Sequence, residues 1–180
     1  MGNFVSIKGL NHVAYRCRDA EETRHFYEDL LGLPLTHVVR GDVVSTGEQG
    51  AFAHLFFAMA DGGCVAFFDL GDNVVAEPSP NTPGWVNHLA LSVESEARVD
   101  DAQKRLQNAG VEVLGPKLHD GQFRSIYFFD PNGIRLELTV NTTSAADQAV
   151  FRHNARAECD AWMKEKTARL GATADTIATA

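Results

Sequence analysis

Two histidines and one glutamate are the residues whose types and spacing point most directly to chemistry. His12 and His88 are each preceded by Asn, in the tetrapeptides Asn-His-Val-Ala and Asn-His-Leu-Ala. Glu137 lies in a segment in which apolar and polar residues alternate, as they do in a strand with one buried face. Two imidazoles and one carboxylate that face one cavity can hold a divalent metal and leave coordination positions open for a substrate or for oxygen. A single strand histidine is more often a hydrogen-bonded core residue, but repetition of the histidine at equivalent positions favours the metal site.

The two histidines occupy the first strands of two copies of one order of elements: strand, helix and three strands. The copies cover residues 8–71 and 85–141. Each predicted helix begins after a capping side chain and ends at a glycine; these residues are Asp19 and Gly32 in the first copy, and Ser95 and Gly110 in the second. The sequence therefore predicts an α+β fold in which two βαβββ modules form one domain over residues 8–141.

The last part of the chain, residues 142–180, does not follow the repeat. A mostly apolar stripe at helical spacing runs through it and predicts an appended helix; its members are Phe151, Ala155, Cys159, Trp162 and Lys166. We expect this helix to pack on the core or on a second subunit.

Composition excludes several classes of function. The 180 residues include 16 Lys and Arg against 24 Asp and Glu, a formal net charge of −8. An acidic balance argues against nucleic acid and against an anionic membrane as partners. Three scattered cysteines do not form a disulfide framework. Together these features predict a cytoplasmic protein.

Three segments resemble the vicinal oxygen chelate superfamily, which includes glyoxalases, fosfomycin-resistance proteins and type I extradiol dioxygenases. The first is His12–Ala14 together with Phe26–Leu33 at the end of the first predicted helix, the second is Asn87–Ala90, and the third is Tyr127–Glu137. The resemblance covers roughly residues 8–141. It implies paired βαβββ modules that form an open, U-shaped barrel around one divalent metal, and it implies a homodimer.

In that superfamily the metal ligands come from the first and fourth strands of each module, which implies His12, His88 and Glu137 here. Alignment of the turn glycines of the two modules places Phe67 opposite Glu137, so a fourth ligand is missing. Asp69 shares a strand face with Phe67 and is left open as a further ligand.

The resemblance also implies acid–base residues. Tyr127 lies ten residues before Glu137, the spacing of a substrate-binding tyrosine in extradiol enzymes, although it is equally well interpreted as a core aromatic. His119 precedes the Tyr127 strand and, as an imidazole, suits proton transfer near neutral pH; a solvated loop histidine is its alternative. The second acid–base histidine of extradiol enzymes is absent at Gly62-Gly63-Cys64. His54 is a possible substitute, against a buried structural histidine.

These expectations combine into a first hypothesis: an Fe(II) extradiol-type ring-cleaving dioxygenase that acts on a small catechol-like aromatic substrate and O2. The second hypothesis is a Mn-, Ni- or Zn-dependent lyase, isomerase or thiol transferase of the glyoxalase type. The third is a binding protein without catalysis, of the kind that confers resistance to a small molecule.

Overall fold

The computed structural model describes residues 5–43, 46–119 and 121–178, and these residues form eight strands and three helices. The strands are β1 (His12–Cys17), β2 (Leu35–Val43), β3 (Gln49–Ala58), β4 (Cys64–Asp69), β5 (Leu89–Ser92), β6 (Leu114–His119), β7 (Phe123–Phe129) and β8 (Arg135–Asn141). The helices are α1 (Ala20–Arg24, continued by a wider π-helical segment over His25–Leu30), α2 (Glu96–Asn108) and α3 (Ala145–Ala178).

Each module forms a four-stranded mixed sheet. Sheet A has the order β1-β4-β3-β2 and sheet B the order β5-β8-β7-β6. The first and fourth strands of each module pair in parallel, and the remaining pairs are antiparallel. The predicted α+β fold of two βαβββ modules is therefore confirmed. In this order β1 and β5, the strands nearest the two predicted histidine ligands, are edge strands of their sheets.

One face of sheet A is covered by α1 and its continuation. Asp19 caps this helix, because its side chain accepts a hydrogen bond from the Glu22 amide at 2.7 Å. Tyr27 is fully buried against the sheet, with its ring 4.8 Å from that of Phe67 and 5.4 Å from that of Phe57. Hydrophobic burial thus fixes which side of every strand faces the helix.

Sheet B repeats this arrangement with α2. Ser95 caps the helix, and a buried apolar cluster joins it to the strands; the cluster consists of Val99, Leu106, Ile126, Phe128 and Leu136. The opposite side of each sheet is called its helix-free face below. Side chains alternate strictly between the two faces, so the helix positions determine which polar residues reach the helix-free faces.

The two modules are joined by a buried polar contact. The Tyr27 hydroxyl of the first module donates a hydrogen bond to Asp130 Oδ2 of the second at 3.1 Å. Asn132 donates from Nδ2 to Thr23 Oγ1 at 3.2 Å and accepts from the Arg18 amide at 2.9 Å. These bonds hold the turn between β7 and β8 against the start and middle of the first helix.

Helix α3 differs from the prediction. Ser144 and Asp147 cap it reciprocally, as their spacing indicates. However, residues 145–171 of this helix are all exposed, including Phe151 and Trp162 of the predicted stripe. The prediction that the helix packs on the core of its own chain is therefore wrong for these residues. No helix among the described residues is both long and apolar enough to cross a bilayer.

The strand at the start of the second module is shorter than the sequence predicts. Alternation indicates a strand over Val86–Val93, but β5 pairs with β8 only along Leu89–Ser92. His88 therefore lies just before β5.

Candidate metal centre

His88 and Glu137 come together at the helix-free face of sheet B. His88 Nε2 lies 3.1 Å from Glu137 Oε2, and Glu137 is only 7% exposed. Glu137 reaches this face because its neighbour Leu136 is fully buried on the helix side of β8. The pair is formed by strand pairing, since Ala90 of β5 lies directly beside Glu137.

The orientation of the His88 ring is set by a backbone contact. Its Nδ1 lies 2.9 Å from the Val86 carbonyl oxygen, which can only accept a hydrogen bond. Nδ1 therefore carries a proton, and Nε2 is the ring nitrogen that approaches the carboxylate of Glu137. A proton or a metal ion between Nε2 and the carboxylate accounts for this separation.

A divalent metal fits this donor set. Two ligands at about 2.1 Å from a metal and about 90° apart lie roughly 3 Å from each other, close to the spacing between His88 and Glu137. The hydrogen bond from Nδ1 to a carbonyl is also the usual support of a metal-binding histidine. An imidazole and a carboxylate with these orientations could thus supply two ligands.

The third predicted ligand lies on the other sheet. His12, at the start of β1, stands on the helix-free face of sheet A, with its ring 5.9 Å from His54 and 5.4 Å from Phe56. Its Nδ1 lies 2.7 Å from Asn11 Oδ1, and the carbonyl oxygen of this amide makes Nδ1 the donor. His12 is thus oriented as His88 is, with Nε2 free to bind. Asn11 has a role that the repeated Asn-His dipeptide signalled but that the sequence did not assign.

The three predicted ligands do not meet within one chain. Over residues 5–43, 46–119 and 121–178, no group of three or more His, Cys, Asp or Glu side chains is placed to hold a metal ion. His88 and Glu137 share sheet B, whereas His12 belongs to sheet A, and the contacts that join the sheets lie on their helix sides. One module therefore carries two of the three ligands and the other module carries the third.

The missing fourth ligand position was assigned to the wrong residue. Pairing of His12 with Cys64 and of Ala14 with Ala66 makes Ala66, not Phe67, the counterpart of Glu137 in the first module. Phe67 is fully buried on the helix side of sheet A. Asp69 shares that side, where its carboxylate accepts hydrogen bonds from the amides of Ala20 and Gly71 at 2.8 Å each. It is directed away from the helix-free face and does not act as a ligand there.

Tyr127 and His119 form a hydrogen-bonded pair beside Glu137. The Tyr127 hydroxyl lies 2.8 Å from His119 Nε2, and Tyr127 pairs directly with Glu137 across β7 and β8. Burial, followed by the nearby negative charge of Glu137, raises the pKa of Tyr127, so the phenol stays protonated at neutral pH. Arg135 lies over the Tyr127 ring, with its Cζ 4.4 Å from the ring centroid. Tyr127 is partly buried. Its contacts with His119 and Arg135 place it in this polar group and not in the core.

His54 lies apart from the Tyr127 pair. It stands on the helix-free face of sheet A, stacked on Phe68 with ring centroids 3.7 Å apart. Its Nε2 is buried and has no hydrogen-bond partner. Burial first, and then the nearby His12 and His37, lower the pKa of His54, which keeps the ring neutral. The structure thus supports a structural aromatic role for His54 more than an acid–base one.

A model of one protein family matches most of the chain. The family is described as the Glyoxalase/Bleomycin resistance protein/Dioxygenase superfamily, and the match covers residues 9–138. This range includes nearly all of both modules and every candidate site residue from His12 to Glu137.

Curated relatives are similar over most of their length. Metallothiol transferase FosB from Bacillus licheniformis is 29% identical over 82% of this chain and 84% of its own. Glutathione transferase FosA from Serratia marcescens is 26% identical over 77% of this chain and 85% of its own. Glyoxylase I 4 from Arabidopsis thaliana is 24% identical over 76% of this chain and 73% of its own.

Solved structures share the fold. A glyoxylase/bleomycin resistance protein/dioxygenase domain from Frankia sp. EAN1pec is 22% identical, with a TM-score of 0.60 over 76% of this chain and 99% of its own. A mutant of the fosfomycin resistance protein FosX from Listeria monocytogenes is 22% identical, with a TM-score of 0.55 over 80% of this chain and 99% of its own. That mutant was solved in complex with Mn(II) and 1S,2S-dihydroxypropylphosphonic acid. The antibiotic binding protein TnmS3 from Streptomyces sp. CB03234 is 24% identical, with a TM-score of 0.54 over 78% of this chain and 100% of its own.

Proposed function

The chain belongs to the Glyoxalase/Bleomycin resistance protein/Dioxygenase superfamily, and from this premise we propose that it is a divalent-metal-dependent enzyme of the transferase or lyase type. The observation that carries the proposal is the approach of His88 Nε2 to Glu137 Oε2 at 3.1 Å, with the proton of His88 held on Nδ1. A divalent metal bound there would act as a Lewis acid that polarises an oxygen of a small substrate.

His12 of a second copy of the chain completes the ligand set in this proposal. Both β1 and β5 are edge strands; His12 is the first residue of β1, and His88 directly precedes β5. A cleft of about 830 Å³ opens beside β5, and its lining includes Leu89, Leu91 and Leu106 of the second module and Leu10 of the first. An edge strand from another copy that approaches β5 would bring its His12 towards the pair on sheet B. The protein is therefore proposed to work as a homodimer.

The polar group of sheet B supplies the proton chemistry. The neutral Tyr127 hydroxyl can donate a hydrogen bond to a substrate oxygen that gains negative charge. His119, in contact with that hydroxyl, can pass a proton to it or take one from it. Arg135 adds a positive charge above the Tyr127 ring that favours an anionic substrate group.

Transfer of a thiol is the reaction that the relatives favour over ring cleavage. The names of FosA and FosB are those of a glutathione transferase and a metallothiol transferase, and FosX was solved with Mn(II). Iron, O2 and a catechol find no specific support among them. Mn(II) is accordingly the first metal to test, before Ni(II), Zn(II) and Fe(II).

The test measures metal content and one reaction on the same protein. We expect anaerobically purified protein to bind about one Mn(II) per chain and to consume glutathione in the presence of fosfomycin or another small epoxide. An exposed-residue variant outside this cleft, Glu112→Gln, serves as the control for both measurements. Protein that takes up none of the four metals contradicts the proposal.

The Fe(II) ring-cleaving reaction remains a second candidate because of one observation, the contact between Tyr127 and His119 beside Glu137. Oxygen uptake by Fe(II)-loaded protein with a panel of catechols distinguishes it from thiol transfer. The third hypothesis, binding without catalysis, predicts instead that ligand affinity is the same with and without metal.

A further inference from the structure

The chain that leads into His12 is held close against the turn between β3 and β4. A Cβ built at Gly63 in this turn would lie 2.7 Å from the backbone oxygen of Leu10, which is closer than side chains approach a backbone atom. The next residue of the turn, Cys64, donates a hydrogen bond from its amide to the backbone oxygen of Asn11 at 2.9 Å. Gly63 therefore allows this close approach, and the hydrogen bond fixes the backbone of Asn11.

From this fixed backbone the Asn11 side chain reaches the ring of His12. Its Oδ1 lies 2.7 Å from Nδ1 of the imidazole and can only accept a hydrogen bond. The contact keeps a proton on Nδ1 and leaves Nε2 to bind, which is the usual arrangement in a metal-binding histidine. Support of this ring thus depends on two features of the first module, the amide of Asn11 and the absence of a side chain at Gly63.

The second module lacks the close approach, although it repeats the Asn-His dipeptide. Strand pairing makes Ile134 the counterpart of Gly63, because each directly precedes the first paired residue of the fourth strand. Ile134 carries a Cβ where Gly63 has none. In agreement, β5 pairs with β8 only from Leu89, one residue later than β1 pairs with β4.

Asn87 consequently does not support its histidine as Asn11 does. The Asn87 side chain is exposed and makes no hydrogen bond within the described part of the chain. Nδ1 of His88 instead lies 2.9 Å from the carbonyl oxygen of Val86. The amide of Val86 donates to the carbonyl of Pro83 at 2.9 Å, so a turn of the backbone holds this second support.

We infer that Asn11 and Gly63 are positioning residues for the His12 ligand. Asn87, which precedes the other histidine in the same dipeptide, has no such role. This inference rests on the proposed function, because it assigns the two residues to a proposed metal ligand. It adds that two identical dipeptides differ in function, since only one of the two histidines depends on a neighbouring side chain.

Substitutions at the two asparagines give the main test. Asn11→Ala should lower Mn(II) affinity about tenfold or more in calorimetry, as is typical when a hydrogen bond to a metal ligand is lost. Asn87→Ala is the matched control and should bind Mn(II) as tightly as the wild type. Asn11→Asp should restore the affinity at least to the wild-type level, because a carboxylate accepts the same hydrogen bond and raises the basicity of the imidazole.

The tautomer of the His12 ring is a second readout, which a change in overall stability would not move. Nitrogen NMR of the metal-free protein identifies the ring nitrogen that carries the proton. Asn11→Ala should move the proton of His12 from Nδ1 towards Nε2, and Asn11→Asp should keep it on Nδ1. The His88 signals should be the same in both variants, because Val86 supports that ring.

Gly63→Ala tests the backbone part of the support. The added methyl group must displace the oxygen of Leu10 and with it the backbone of Asn11, so Mn(II) affinity should fall as it does in Asn11→Ala. Because both changes act through one ring, the double variant should bind Mn(II) about as well as the weaker single variant. Gly9→Ala, on the same segment but with open space around its Cβ, is the control and should leave the affinity unchanged.

The outcomes separate this inference from the proposed function. Mn(II) affinity and a His12 tautomer that are the same in Asn11→Ala and the wild type overturn the inference and leave the metal site intact. Equal losses of affinity in Asn11→Ala and Asn87→Ala, or no recovery in Asn11→Asp, also overturn it. Protein that binds no metal, but whose His12 tautomer changes in Asn11→Ala and returns in Asn11→Asp, overturns the proposed function and supports the role of Asn11 at the ring.

Discussion

At the scale of single residues, the two Asn-His dipeptides hold their imidazoles in the same way by different means. His12 is oriented by the side chain of Asn11 and His88 by the carbonyl of Val86. In both rings the proton is drawn to Nδ1, and Nε2 is left to bind. An identical sequence pattern thus gives an identical orientation through two local contacts.

The Glu137 carboxylate is expected to control metal affinity. Glu137→Gln keeps the shape of the side chain but removes the negative charge, so Mn(II) affinity should fall at least about 100-fold. Calorimetry or electron paramagnetic resonance of Mn(II) measures this. Glu112→Gln, at an exposed side chain outside the cleft beside β5, is the matched control. Equal affinities of Glu137→Gln and wild type would show that the metal, if bound, lies elsewhere.

At the scale of secondary-structure elements, strand alternation was a better guide than turn alignment. Alternation along β7 and β8 puts Tyr127 and Glu137 on one face and Arg124 on the other, and in the structure Arg124 is paired with Asp100 of α2. Alignment of the turn glycines instead made Phe67 the counterpart of Glu137, one residue from the true counterpart, Ala66. The two turns have the same length, and the glycine with a positive φ that corresponds to Gly133 is Gly62, not its neighbour Gly63, so only strand pairing defines the register.

The contact between the first helix and the β7–β8 turn should contribute to stability. Tyr27→Phe removes a buried hydrogen bond to Asp130, and we expect the free energy of unfolding to fall by about 1–2 kcal/mol. Urea denaturation measures the change. Tyr15→Phe, at a partly buried tyrosine, is the control and should cost less than about 0.5 kcal/mol. An equal decrease in the free energy of unfolding in the two variants would show that the hydrogen bond from Tyr27 to Asp130 does not stabilise the fold.

A buried thiol at the end of β1 should make the fold sensitive to alkaline pH. Burial raises the pKa of Cys17 from its ordinary value of 9.0 to about 11. Between these values the unfolded chain has lost the proton and the folded chain retains it, so stability is fully present below pH 9 and falls as pH rises through 11. Urea midpoints from pH 8 to 11.5 should show a shallower decline in Cys17→Ala than in Cys159→Ala, whose thiol is exposed. The same slope in both variants would contradict this assignment.

At the scale of the whole molecule, the sequence predicted the two modules but not how their ligands meet. Local patterns determine the strands, helices and faces, because alternation and capping involve residues a few positions apart. The relation between the sheets depends on distant contacts such as Tyr27 with Asp130, which no local pattern encodes. The proposed sharing of a site between two copies follows from that relation.

Mixing two inactive variants tests whether copies share the site. His12→Ala and Glu137→Gln chains that are unfolded together and refolded at equal amounts should regain Mn(II) binding, because a mixed dimer has one site with all three ligands. Random pairing should restore about a quarter of the wild-type sites. Each variant refolded alone is the control. No recovery in a mixture shown to contain mixed dimers would mean that each chain builds its own site.

Helix α3 affects how the oligomeric state of the protein is measured in solution. Its 34 residues form a rod about 50 Å long, and its described side chains are exposed throughout. A rod attached to a folded domain increases the hydrodynamic radius without adding proportionate mass. The protein should therefore elute from a gel-filtration column ahead of a sphere of equal mass, and a monomer could be mistaken for a dimer. Light scattering or sedimentation equilibrium, which report mass independently of shape, are the measurements that count copies correctly.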